Sequence, residues 1–119
     1  MKKIICMFIL LLTLGLFSAC SKISDEELAE ARDAVRDGAI IVDVRTPKEF
    51  REKHIDGAIN LPIEAIMKGN IQLPKGKEIV VYCRTGSRSR VSAKVLREKG
   101  WNVYDVATQG EWEREIELK

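Results

Sequence analysis

Two stretches of the sequence, residues 39–44 and 79–82, are apolar at nearly every position, whereas the segments around them place apolar residues three and four apart. The first pattern suits strands covered on both faces; the second suits helices with one buried side. Ser24-Asp25-Glu26-Glu27 carries a capping-box signature, and Leu28, Ala31 and Val35 give the stripe of a helix reaching Gly38. Thr46-Pro47-Lys48-Glu49 repeats the signature, with proline at the first helical position, and predicts a short helix to Lys53. Residues 54–62 read as a turn, a short strand and a stop, residues 63–68 as a short helix ended by Gly69-Asn70, and Pro74-Lys75-Gly76-Lys77 as a turn. Beyond the second apolar strand, residues 89–99 predict a helix with Val91, Val95 and Leu96 on one side, Lys94, Arg97 and Glu98 largely opposite, and Gly100 as its stop. Residues 103–106 form a last strand and Gln109-Gly110-Glu111-Trp112 opens a final helix, with Trp101 and Trp112 read as core packing and Trp112 as a wall for any pocket. Strands alternating with helices predict an α/β fold with a mostly parallel central sheet and helices on both faces, whose ligands sit beyond the carboxyl ends of the strands.

Cys83 stands at such an end. The run Cys83-Arg84-Thr85-Gly86-Ser87-Arg88-Ser89-Arg90 joins a buried strand to a helix start, where backbone N–H groups and the helix dipole favour anions. Arg84, Arg88 and Arg90 add three cations within seven residues of the thiol, and cations beside a helix N-terminus favour the thiolate. The plainer reading, a small hydrophobe closing a core strand, fits poorly with so polar a continuation. A cysteine-based phosphatase cradle needs an arginine six positions after the cysteine, and Ser89 occupies that position. A loop this tight suits a smaller target, such as a sulfur atom carried on the cysteine itself.

Residues 83–89 resemble the active-site loop of rhodanese domains, the sulfurtransferases that hold sulfur as a cysteine persulfide. A second segment resembles the family's other hallmark: Asp43-Val44-Arg45, Glu49-Phe50, His54-Ile55 and Gly57-Ala58-Ile59-Asn60-Leu61-Pro62. Lys53 stands where family members usually have glycine, and Gln109 replaces the first residue of a Gly-Gly pair often found near there. The resemblance covers residues 23–112 and implies a rhodanese-like fold, Cys83 as the catalytic residue, and Arg84, Thr85, Gly86, Ser87 and Arg88 as its substrate-binding loop. It implies a small sulfur-donor anion and a thiol or cyanide acceptor as reaction partners, with no metal and no cofactor.

Within the second motif, Arg45 and Glu49 are four residues apart, which predicts a structural pair one helical turn long. Asp43 reads as a buried carboxylate bonded to backbone N–H groups. His54, the one histidine of the sequence, reads as a turn or core-edge residue, because an already ionised cysteine needs no general base.

The first nineteen residues stand apart from the domain. Met1-Lys2-Lys3 is a basic start, residues 4–17 are a fourteen-residue apolar run, and Ser18-Ala19 is a small-residue close, the order of an export signal. Fourteen helical residues would reach about 21 Å, short of the roughly 30 Å hydrocarbon core of a bilayer. Leu16-Phe17-Ser18-Ala19-Cys20 resembles the lipobox of bacterial lipoproteins, which implies cleavage before Cys20, lipidation of that cysteine and anchoring to a membrane surface. The expected organisation is a signal over 1–19, a tether over 20–23 and a rhodanese-like domain over 24–119. Its expected place is outside the inner membrane, on that membrane's outer side or on the outer membrane.

Cysteine usage sharpens the picture, since Cys6 would leave with the signal and Cys20 would be acylated. Cys83 would then be the domain's one thiol, exposed to an oxidising compartment and unable to form an internal disulfide. Lys2 and Lys3 account for the whole formal charge of +2, so the chain from Cys20 onward is neutral, which excludes a nucleic-acid footprint. A monomer is expected. The alternative function is a non-catalytic rhodanese-like binding module in the cell envelope, which would have little use for a cysteine in a cationic loop.

Overall fold

The computed structural model describes residues 23–117; the expected signal over 1–19, Cys20 and most of the expected tether over 20–23 lie outside them. The apolar runs become the middle of the sheet: β1 (Ile40–Asp43) and β3 (Ile79–Cys83) pair in parallel. The two-residue β2 (Ile59–Asn60) flanks β1 and β4 (Val103–Thr108) flanks β3, giving an all-parallel order β2-β1-β3-β4. Every residue of β3 is buried, as a central strand without polar alternation requires.

Among the described residues five helices surround the strands: α1 (Asp25–Arg36) precedes β1, α2 (Pro47–Glu52), α3 (Ile63–Met67) and α4 (Ser87–Glu98) lie between strands, and α5 (Gln109–Glu113) follows β4. The pleat divides β3 between two cores. Ile79, Val81 and Cys83 pack with Ile66 of α3 and with Ala93 and Leu96 of α4. Val80 and Tyr82 face Leu28 and Ala31 of α1, with Phe50 and Trp112 at the margin. Trp101 borders the first core, so both indoles pack where their size predicts.

The helix starts expected at Ser24 and Thr46 hold in detail. Ser24 Oγ accepts the Glu27 N–H at 3.1 Å, and at α2 both halves of the box form: Thr46 Oγ1 accepts from Glu49 N–H while a Glu49 carboxylate oxygen accepts from Thr46 N–H. Two expectations for α4 need correction. The helix begins at Ser87 rather than 89, and Val91, expected inside, is 43% exposed. Its inner face is Ser89, Ser92, Ala93 and Leu96. Small residues let α4 lie close to the sheet, and Ser92 Oγ donates to the Arg88 carbonyl at 2.7 Å, so its burial leaves no polar group unpaired.

One irregularity shapes the end of the sheet. Val81 pairs with Asp105, yet Cys83 pairs with Thr108, so β4 carries one extra residue there. Ala107 takes it up with φ +67°, a left-handed conformation rare for a residue with a side chain, and its N–H donates to Asp105 Oδ1 at 2.9 Å. The bulge lies directly beside the cysteine.

Candidate active site

Cys83 closes β3 and is 2% exposed. Its Sγ accepts two backbone N–H groups, from Gly86 at 3.0 Å and from Ser89 at 3.3 Å. The second contact explains how α4 starts. Its N-cap is Gly86, with φ +97° and no side chain to offer, so the sulfur takes the place of the capping oxygen at the third helical position. Partial positive charge at the helix N-terminus is thereby focused on the sulfur, an arrangement that stabilises an anion there.

Ser89 completes the mould. It is fully buried, and its Oγ donates to the Gly86 carbonyl at 3.1 Å, with the Ala107 carbonyl at 3.4 Å. A methyl on Gly86 would stand 3.3 Å from Ala107 Cβ. The bulge in β4 is therefore the floor under the loop.

Among the residues expected to bind substrate, Arg84, Thr85 and Ser87 are exposed around Cys83, and Thr85 Oγ1 lies 3.1 Å from Ser87 Oγ. The Arg88 guanidinium is committed elsewhere: it makes a two-pronged pair with Glu49, at 2.8 Å and 3.2 Å. Arg84 Nη1 lies 3.7 Å from the same carboxylate. Arg90 is exposed on the outer side of α4.

Glu49 is thus the site residue that sequence reasoning misplaced. The expected Arg45–Glu49 pair does not form, because Arg45 precedes the N-cap Thr46 and is outside the helix, where four-residue spacing no longer means adjacency. Arg45 instead grips Asp43, with Nη2 at 2.6 Å from Oδ2 and Nε 2.9 Å from Oδ1. The hydrogen bond from Arg88, then those from Thr46, holds the Glu49 carboxyl well below its usual range, at about 2, and Glu49 in turn raises Arg88. The available signal was electrostatic: two arginines beside one thiol call for a counter-ion.

Asp43 is fully buried and satisfied as expected, though side chains do most of it. Besides Arg45 and the Arg45 backbone N–H, it accepts the Tyr82 hydroxyl at 2.9 Å, and that hydroxyl accepts Ile55 N–H at 3.0 Å. Burial, with the Asp43 charge adding to it, pushes the Tyr82 phenol up to about 12. Asn60 Nδ2 donates to the Asp43 and Arg45 carbonyls at 3.0 and 2.9 Å. The network welds the ends of β1, β2 and β3 together under the loop that carries α2 and Glu49.

His54 lies apart from the cysteine. Its Nδ1 donates to the Phe50 carbonyl at 2.6 Å, its ring stacks on Phe50 at 3.8 Å, and it lines a groove with Trp112 and Gln109 to which the Cys83 loop contributes nothing. Trp112 therefore walls a pocket, but a different one. Among the described residues no three His, Cys, Asp or Glu side chains come together as a metal site.

The strand, bulge and loop define a known class of domain. A family profile described as rhodanese-like domain matches residues 25–108, and the chain belongs to that family. A sulfurtransferase of Allochromatium vinosum is 34% identical over 77 residues, covering 65% of this chain and 72% of that protein. A tRNA sulfurtransferase of Desulfurococcus amylolyticus is 34% identical over 90 residues, 76% of this chain but 18% of the longer protein. Among solved structures, the human single-domain sulfurtransferase TSTD1 superposes with a TM-score of 0.64 at 26% identity, over 82% of this chain and all of that one.

Proposed function

We propose that the protein is a sulfurtransferase that moves sulfane sulfur from thiosulfate or a similar donor to a thiol or cyanide acceptor through a persulfide on Cys83. The observation that carries this reading is the pair of N–H groups, from Gly86 and Ser89, aimed at Cys83 Sγ. The thiolate attacks the outer sulfur of the donor; a sulfur–sulfur bond forms on Cys83, the donor's own bond to that sulfur breaks, and sulfite leaves with the electron pair. An acceptor thiolate or cyanide then takes the outer sulfur and returns the Cys83 thiolate, a ping-pong cycle without a general base. Amide dipoles and Arg84 stabilise the charge that gathers on sulfur and leaving group.

Intact-mass analysis after mixing with thiosulfate is the test. Gain of one sulfur, absent in Cys83→Ala and discharged by cyanide, is the expected result; no gain with any sulfane donor ends the proposal.

The basic start, the apolar run and the small residues before Cys20 further support an exported lipoprotein, held on a membrane surface by acyl chains on Cys20. Metabolic labelling with an alkyne fatty acid, lost in Cys20→Ala, checks it.

A further inference from the structure

The loop's two arginines share one carboxylate, and this bears on which donors the site accepts. Arg88 is held at both prongs by Glu49, and Arg84 approaches the same group at 3.7 Å. The triad carries a single net positive charge. Nor is Glu49 readily displaced, since Thr46 N–H and Thr46 Oγ1 bind Oε1 at 3.2 and 3.1 Å and its side chain is only 15% exposed. An incoming anion meets one partly free guanidinium, on Arg84, beside a fixed negative charge.

We propose that Glu49 is a charge filter for the sulfur donor: it favours singly charged sulfane donors over dianions. The proposal rests on the sulfurtransferase reading above and concerns a positioning residue that touches neither sulfur nor the leaving group. Within the triad a second negative charge on the donor finds no second free guanidinium, because Glu49 holds Arg88 at both prongs, and it is repelled by the carboxylate, whereas a single charge is matched by Arg84.

Two donors isolate the effect. Thiosulfate is a dianion and methanethiosulfonate a monoanion, and both transfer the same terminal sulfur. With either, Cys83 S⁻ forms a bond to the terminal sulfur, the donor's sulfur–sulfur bond breaks, and its electron pair leaves on sulfite or on methanesulfinate. Cys83 keeps the persulfide, and no oxidant or reductant enters.

The experiment measures kcat/KM for both donors with full-length protein, each divided by the rate of that donor with free cysteine. The expected wild-type ratio favours methanethiosulfonate, and Glu49→Gln, which keeps the amide oxygen for Thr46, shifts it toward thiosulfate by about tenfold, the scale of deleting one unit charge a few ångströms from a dianion in a partly solvated site. Glu49→Asp, which keeps the charge, retains the wild-type ratio. A wild-type preference for thiosulfate overturns the filter, and this arm needs no variant to fold. So does a Glu49→Gln protein in which both donors change by the same factor, the mark of a merely structural role. Failure of Cys83 to gain sulfur from either donor sinks the sulfurtransferase reading itself, a result distinct from persulfide formation with an unchanged ratio.

Discussion

The backbone N–H of Ser89 points at Cys83 Sγ from 3.3 Å, so the residue that ends the central strand also caps the helix that follows it. Under the proposed function, reactivity and stability share an atom. Cys83→Ala should abolish sulfur transfer and also cost about 1 kcal/mol, the usual loss when a helix cap is removed. Cys83→Ser, whose oxygen still accepts the N–H, should be equally inactive yet recover part of that stability. Urea unfolding beside the activity assay separates the two effects; equal stability of alanine and wild-type proteins rules out capping by sulfur.

Gly86 is required by both geometry and contact. Its φ of +97° costs a side-chain-bearing residue about 1–2 kcal/mol, and a methyl there meets Ala107 Cβ at 3.3 Å. Gly86→Ala should lower stability by at least that range and move the Gly86 N–H off the sulfur. Alkylation of Cys83 by iodoacetamide should then slow, measured at constant pH on protein that remains folded.

Much of this is legible in the sequence. Thr46 and Glu49 declared a capping box, and an unbroken apolar run declared a central strand, because both signals lie within a few residues of sequence. Glu49 also pairs with Arg88, 39 positions away, and no local spacing encodes that; the local spacing pointed instead to Arg45, which the turn before α2 takes out of reach. Val91 misled for a related reason. Apolar periodicity assumes that the largest side chains mark the buried face, whereas α4 buries Ser89, Ser92 and Ala93 to come close to the sheet. The bulge at Ala107 was hidden because alanine gives no hint of a positive φ.

The buried hydroxyl of Tyr82 bridges Ile55 N–H and Asp43 Oδ2. Tyr82→Phe removes the bridge without removing the ring, leaving a buried donor unpaired and a buried carboxylate with one partner fewer. The expected loss is about 1–3 kcal/mol, the cost of an unsatisfied buried polar group. Thermal or urea denaturation measures it, with faster exchange of the Ile55 amide as the local signature; a change below a few tenths would mean that the loop over residues 53–55 relaxes to reach water.

Acid should loosen the loop through Glu49. Its carboxyl sits at about 2 in the folded protein, against an ordinary 4.5, mainly because Arg88 binds the ionised form. A depressed value means that the folded state holds fewer protons than the unfolded one, so the pair's contribution is complete above roughly pH 4.5 and fades as pH falls toward 2. Wild-type protein should therefore lose melting temperature across that window more steeply than Glu49→Gln, which has no carboxyl to protonate at this position. The remaining carboxylates set a background common to both proteins, and the difference between the two curves isolates Glu49. Parallel curves from pH 5 to pH 2.5 would show that Arg88 gains nothing from the charge of its partner, and would remove the ground for treating the triad as one electrostatic unit.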